Sequence, residues 1–277
     1  MTVHLTFDNE NLAKAYDEIS NSQFNNGTLL VEKLEVKPGQ SILDIGSGTG
    51  RLGRHINELI GDTGSFLGID PLEERVKIAN DKNRHGNTVY RIGVAEDLGF
   101  IPDSSIDIIY LNAVFHWVID KEQALREIYR VLKPGGKVGF ATGARELNSI
   151  TGLQHITNKV LSEGLYKQAV NFAESTQHQH GLTATSLVQL LAGSGLKVRE
   201  VQIKEIERQY GSAQEITRFF EASSFGNYLN HVPDALRPQA KSDIEAELEK
   251  HRSGDGWLKF SSYTIFAIAQ KSLSIAA

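Results

Sequence analysis

Apolar runs and helical stretches alternate along the first half of the chain. SILDIG (41–46), SFLGID (65–70), NTVYRIG (87–93), IDIIYLNAV (106–114) and GKVGFAT (136–142) read as strands, and the turn-forming GDTG, HGN, PDSS and KPGG introduce the later ones. Between them apolar residues recur at helical spacing, as in Leu72, Val76, Ile78 and Ala79, or Ala124, Leu125, Ile128 and Leu132. Short apolar strands alternating with helices predict βαβ units and a mostly parallel sheet covered on both faces.

After residue 143 the rhythm changes. The stretch 146–175 has helical spacing but no strand partner, and it reads as a helical insertion or lid. TATSLVQLLAGSGL is a helix with Thr183 or Thr185 as N-cap and Gly193 or Gly195 as its stop. KVREVQIKEIER alternates as a strand, residues 212–252 turn helical again, and KFSSYTIFAIAQK closes the chain as a strand rich in aromatic and β-branched residues. The expected fold is α/β: a Rossmann-like, doubly wound, mostly parallel seven-stranded sheet with helical insertions forming a lid. The expected organisation is an N-terminal helical cap (1–38), a core (39–142), an insertion (143–180), and a return to the core (181–277). That return carries its own insertion at about 212–252 and a final strand at about 259–270.

Composition narrows the function. The 277 residues can bury a full core without staples, and the net charge of −5 with no Lys/Arg run lacks the footprint of a nucleic-acid binder. Cysteine is absent, which excludes disulfides, thiolate metal sites and a Cys nucleophile. MTVHLTFDNENLAK has no basic segment leading into an apolar core, and no apolar run approaches the ~18 residues of a membrane span. The expectation is a cytoplasmic protein, monomeric or homodimeric, that acts on a small molecule.

The chemistry concentrates in SILDIGSGTGRLG (41–53). Gly48, Gly50 and Gly53 spell G-x-G-x-x-G, the dinucleotide fingerprint, while Asp44, Gly46, Gly48 and Gly50 spell D-x-G-x-G-x-G. Asp44 discriminates between them. A carboxylate beside the loop is unwelcome to an anionic pyrophosphate at a helix N-terminus, but it suits a ligand carrying an ammonium; its other reading is a local turn or cap residue. Asp70, ending the second strand, can accept both ribose hydroxyls of an adenosine ligand. It can equally cap the helix that Pro71 would open.

GVAEDLGF (93–100), DIIYLNAVFHW (107–117) and ALREIYRVLKPGGKVGF (124–140) follow in order, and with the glycine loop they resemble the motifs of class I S-adenosylmethionine (SAM) methyltransferases. The resemblance covers about residues 10–142. It implies SAM as cofactor and S-adenosylhomocysteine as product, with Gly46, Ser47, Gly48 and Gly50 against the amino acid end and Asp70 on the ribose. It further implies Ala95 and Glu96 against adenine and Asn112 beside the methionine part. Where Val94 stands, family members often carry an Asp that accepts from adenine, so Glu96 or Asp97 is expected to substitute. NAVFHW and YDEISNSQFNNG look most like the trans-aconitate, malonyl-carrier-protein and juvenile hormone acid methyltransferase branch, which implies O-methylation of a carboxylate. By the same resemblance Tyr16, Gln23 and Phe24 face the transfer site.

A carboxylate arrives as its own nucleophile, whereas a phenol, hydroxyl or carbon acceptor needs a base, for which His116 is the candidate. Its alternative is a space-filling ring beneath the lid. Trp117 is a candidate wall of the acceptor pocket or a packing residue, and Arg145 a candidate partner for an anionic substrate or a solvated loop residue. His178 and His180 lack acidic or Cys company, and no metal is expected. Methylation of arsenic by the family's thiol route is excluded by the missing cysteines, and cyclopropane formation on lipids is a minor alternative. An NAD(P)-dependent oxidoreductase and a non-catalytic SAM-binding protein are the readings from other classes.

Overall fold

The computed structural model describes residues 8–148, 150, 152–174 and 181–273. A seven-stranded sheet in the order β3-β2-β1-β4-β5-β7-β6 organises the chain. Its strands are β1 (Ser41–Ile45), β2 (Ser65–Asp70), β3 (Thr88–Ile92), β4 (Ile106–Asn112), β5 (Leu132–Gly143), β6 (Lys197–Tyr210) and β7 (Leu258–Gln270). β1 pairs in parallel with β2 and β4, β2 with β3, and β4 with β5. The helices are α1 (Glu10–Ile19), α2 (Asn21–Leu34), α3 (Arg51–Ile60), α4 (Glu73–Lys82), α5 (Lys121–Val131), α6 (Arg145–Asn148), α7 (Gly152–Leu161), α8 (Ala184–Gly193), α9 (Ala213–Ser223) and α10 (Arg237–Glu249). None of them is long and apolar enough to cross a membrane.

Two compact units share this order. The core unit comprises Asn21–Thr142, Ala184–Ile203 and the chain from Ile265 onward; the second comprises the residues up to Ser20, Gly143–Thr183 and Lys204–Thr264. In the core unit Leu30, Val31 and Leu34 of α2 and Ile56 and Ile60 of α3 join Ile42, Phe66, Tyr90, Ile108 and Tyr110 of the sheet in one buried cluster. β1 reads as a continuous apolar run because both faces of a parallel sheet are covered. In the second unit Leu153, Ile156 and Leu161 of α7, Ile216 of α9, and Ile244 and Leu248 of α10 form a separate core with Leu258 and Phe260.

Local chemistry sets the helix ends. Asn9, Asp120 and Ser212 cap α1, α5 and α9 by accepting from Leu12, Gln123 and Glu215 backbone N–H groups at 3.1, 2.8 and 3.2 Å. Lys271 reaches back to cap the C-terminal end of α5, donating to the Tyr129 and Leu132 carbonyls at 2.7 and 2.8 Å. KPGG departs from its expected role as a turn before the strand: it lies within β5, where the register jumps between Ile106↔Leu132 and Ile108↔Lys137. The cause is distant in sequence. Gly135 N–H donates to the Lys271 carbonyl at 2.9 Å and Lys271 N–H to that of Gly136 at 3.0 Å, so these residues pair with the chain following β7.

Candidate cofactor site

The glycine loop joins β1 to α3 at the carboxyl ends of the strands, next to the β1/β4 switch point where open α/β sheets bind ligands. Gly46, Gly48 and Gly50 all take positive φ, at 78°, 53° and 73°. Gly46 is doubly constrained, because a Cβ there would stand 2.2 Å from Val114 Cγ2. The backbone N–H groups of Gly46 and Ser47 donate to the Ile69 carbonyl at 2.7 and 2.9 Å, tying the loop to the end of β2.

Two buried carboxyl groups flank it. Asp70 accepts from Gly48 N–H through one oxygen and from Leu72 N–H through the other, both at 2.9 Å. The expected cap role is not met, because the helix opens at Glu73 with Leu72 as its N-cap; Asp70 instead closes a local turn over Pro71, and the same carboxylate holds the middle of the loop. Asp44 is 3% exposed. Burial pushes its carboxyl up to about 8, against the opposing pull of the Tyr110 hydroxyl and with a further rise from the charge of Asp70. A buried acid poised this way gains most from a cationic partner.

Asn112 ends β4, and its Nδ2 donates to the Gln23 backbone carbonyl at 2.8 Å. Gln23 accepts from Ser22 Oγ through its own side chain at 2.9 Å. Phe24 packs against the core cluster, with the Arg51 guanidinium 5.4 Å from its ring centroid. After Asn112 the chain turns through Ala113, held at φ 59°. Beyond it His116 Nδ1 lies 3.1 Å from Thr142 Oγ1 at the end of β5, and its ring packs on Trp117 with centroids 5.0 Å apart. Ala95 is buried in the turn after β3, where Val94 bridges Asp97. Glu96 Oε1 accepts from Ile119 and Asp120 N–H at 3.1 and 3.3 Å, which commits this carboxylate to joining the loops after β3 and β4.

The second unit carries the remaining two candidates. Tyr16 is partly buried on α1, and Arg145 is exposed at the start of α6. His178 and His180 lie outside the described residues, and among the described residues no cluster of His, Asp and Glu could hold a metal.

Several site residues escaped the sequence reading. A Cβ on Gly27 would meet Asn112 Nδ2 at 2.8 Å and Leu52 Cδ2 at 2.6 Å, so this glycine lets α2 close over the strand end; its signal was a glycine in a helix interior. Val114, Tyr110 and Thr142 gave no signal, being ordinary strand and loop residues until folded.

The residues fit SAM. The Ser47 and Thr49 hydroxyls and Asn112 Oδ1 are buried without a hydrogen-bond partner around the loop, and the Gly46 cradle is one that a Cβ would fill.

Residues 43–140 match the family model described as a methyltransferase domain. An arsenite methyltransferase of Aquipseudomonas alcaligenes is 31% identical over 190 residues, 64% of this chain and 53% of that protein. A ubiquinone/menaquinone biosynthesis C-methyltransferase, UbiE, of an Enterobacter species is 40% identical over 107 residues, 37% of this chain and 42% of that protein. The chain thus spans about half the length, or less, of these curated relatives. Among solved structures, the YcgJ protein of Bacillus subtilis superposes with a TM-score of 0.60 at 20% identity, covering 90% of this chain and 98% of that one. The fold is Rossmann-like, as in that structure, and residues 43–140 are similar to a methyltransferase domain. The trans-aconitate and juvenile hormone acid branch is not among these relatives.

Proposed function

We propose that the protein is a SAM-dependent methyltransferase acting on a small molecule. One observation carries the reading: the glycine loop is locked by positive φ and by Val114, with buried Asp44 and Asp70 at the adjoining strand ends. Gly46, Ser47, Gly48 and Gly50 with Asp44 and Asn112 would hold the amino acid end, Asp70 the ribose hydroxyls, and Ala95 with the backbone near Asp97 the adenine. SAM supplies, when bound, a methyl group already activated on a sulfonium. The protein's part is to orient the acceptor, exclude water and take a proton where one must leave.

The acceptor we favour is a phenol, hydroxyl or acidic carbon, with His116 as base. Thr142 Oγ1, 3.1 Å from Nδ1, orients the ring, as a positioned general base requires. The carboxylate expectation finds no support. Its expected cation, Arg145, is exposed, and the named relatives concern arsenite and quinone carbon. Arsenite is not carried over either, because these 277 residues include no thiol to bind a soft ion. Gln23, Phe24, Trp117 and Tyr16 remain the candidates for acceptor contacts.

Calorimetric titration with SAM, S-adenosylhomocysteine and NADH, with Asp70→Ala as control, tests the cofactor. Selective binding of the SAM pair, lost in Asp70→Ala, is the expected result; NADH binding without a response to SAM would assign the loop to a dinucleotide. For the acceptor, His116→Asn should abolish transfer to phenols while leaving SAM affinity unchanged.

A further inference from the structure

The second unit holds an arginine that pairs with no acid. Arg208 lies near the end of β6, and Tyr210, two residues on, shares its face of the strand. The guanidinium stands over the Phe219 ring of α9, 5.7 Å from its centroid, and beside the Tyr210 hydroxyl. Its Nε–H is buried and meets no acceptor. Arg218, Arg237 and Arg252 of the same unit each have a carboxylate partner, whereas none of the ion pairs among the described residues involves Arg208. Glu215, whose charge acts on Tyr210, is held by Gly211 N–H at 2.8 Å.

A buried guanidinium edge without an acceptor is costly, and the group that best relieves it is a planar oxyanion taken by two parallel N–H donors. Burial pushes the Tyr210 hydroxyl pKa up, so it stays protonated, and a donor, at neutral pH. We propose that Arg208 and Tyr210 form a carboxylate-recognition site on the second unit: guanidinium Nε–H and Nη–H grip the two oxygens, Tyr210 adds a third donor, and Phe219 is the floor. The ligand class is a small planar carboxylate, aliphatic or aromatic.

The test uses the full chain and ligand-observed NMR with acetate and benzoate, benzyl alcohol as the uncharged match and inorganic phosphate as the non-planar anion. Carboxylates are expected to bind and benzyl alcohol not. Arg208→Gln should weaken binding by about 10- to 100-fold and Tyr210→Phe by about 3- to 10-fold, with Arg208→Lys intermediate because it keeps the charge and loses the fork. SAM affinity should be unchanged in all three. Absence of carboxylate binding, equal binding by phosphate, or binding indifferent to Arg208→Gln would each overturn the proposal. Should Arg208→Gln fail to fold, Arg208→Lys and Tyr210→Phe decide by the same readout. Failure of the wild-type chain to bind SAM would sink the methyltransferase reading while the carboxylate titration still scores the site.

Discussion

The core unit and the second unit bury polar groups in different ways. In the core unit the decisive carboxylate, Asp70, is held by backbone: Gly48 and Leu72 N–H groups take its two oxygens. In the second unit, side chains on separate helices hold one another. Thr217 of α9 donates to Glu245 of α10 at 2.5 Å, and the Tyr166 hydroxyl donates to Asp243 of α10 at 2.6 Å. A group tied to strand-end backbone has almost no freedom to move without disturbing the sheet. Groups tied through helix side chains can be exchanged while the helix packing survives. The first arrangement suits a ligand of one fixed shape.

Glycines break this comparison most sharply. Gly46→Ala places a methyl 2.2 Å from Val114 Cγ2 at a φ of 78°, and it should cost about 1–3 kcal/mol of stability and roughly 100-fold or more in SAM affinity. Gly164→Ala in the second unit has φ 52° but nothing within 4 Å, so only the backbone strain of about 1 kcal/mol applies and SAM affinity should not change. Parallel melting and calorimetry on the two variants would show equal losses if backbone constraint were no special property of the loop.

Asp44 gives the next effect, through pH. Its folded carboxyl titrates at about 8 and its unfolded one near 3.8, so below that lower value both states are protonated and nothing is lost. As pH rises between the two, the unfolded state ionises first and the folded state loses stability progressively; above about 8 the loss is complete. Asp44→Asn should therefore flatten the fall in ligand-free melting temperature between pH 4 and 8. In the wild type, SAM binding should release a proton in this range, measured by calorimetry in buffers of different ionisation enthalpy. A profile unchanged by the substitution would mean that Asp44 is not the group titrating.

The smallest effect belongs to the helix-held network. Thr217→Val removes the donor to Glu245 from a residue 1% exposed, and it should destabilise by about 1–2 kcal/mol without altering SAM affinity. A loss of SAM affinity equal to that of Asp70→Ala would erase the distinction between the units.

Legibility follows the range of the interactions. The strand and helix alternation, the three glycines of the loop and the acids at positions 44 and 70 could be read because periodicity, positive φ and strand-end position are local properties. KPGG could not be read correctly, since its hydrogen bonds go to Lys271 at the far end of the chain. The side chain of Glu96 answers to the N–H groups of Ile119 and Asp120, contacts that no local pattern announced. Arg208 looked like one more charge on an alternating strand; only the packing of α9 beneath it shows an arginine over Phe219 with no acid.

By itself, then, the sequence determined the α/β alternation, the loop's left-handed turns and the order of the strand-end acids, all of which depend on neighbouring residues and backbone sterics. The tertiary structure alone decided that Gly27 admits α2 to Asn112, that Val114 closes on Gly46, and that Thr142 orients His116. It also decided that three separate stretches of chain condense into a second unit with its own core. Those outcomes depend on which distant surfaces meet, and burial and close packing act between elements whatever their separation along the chain.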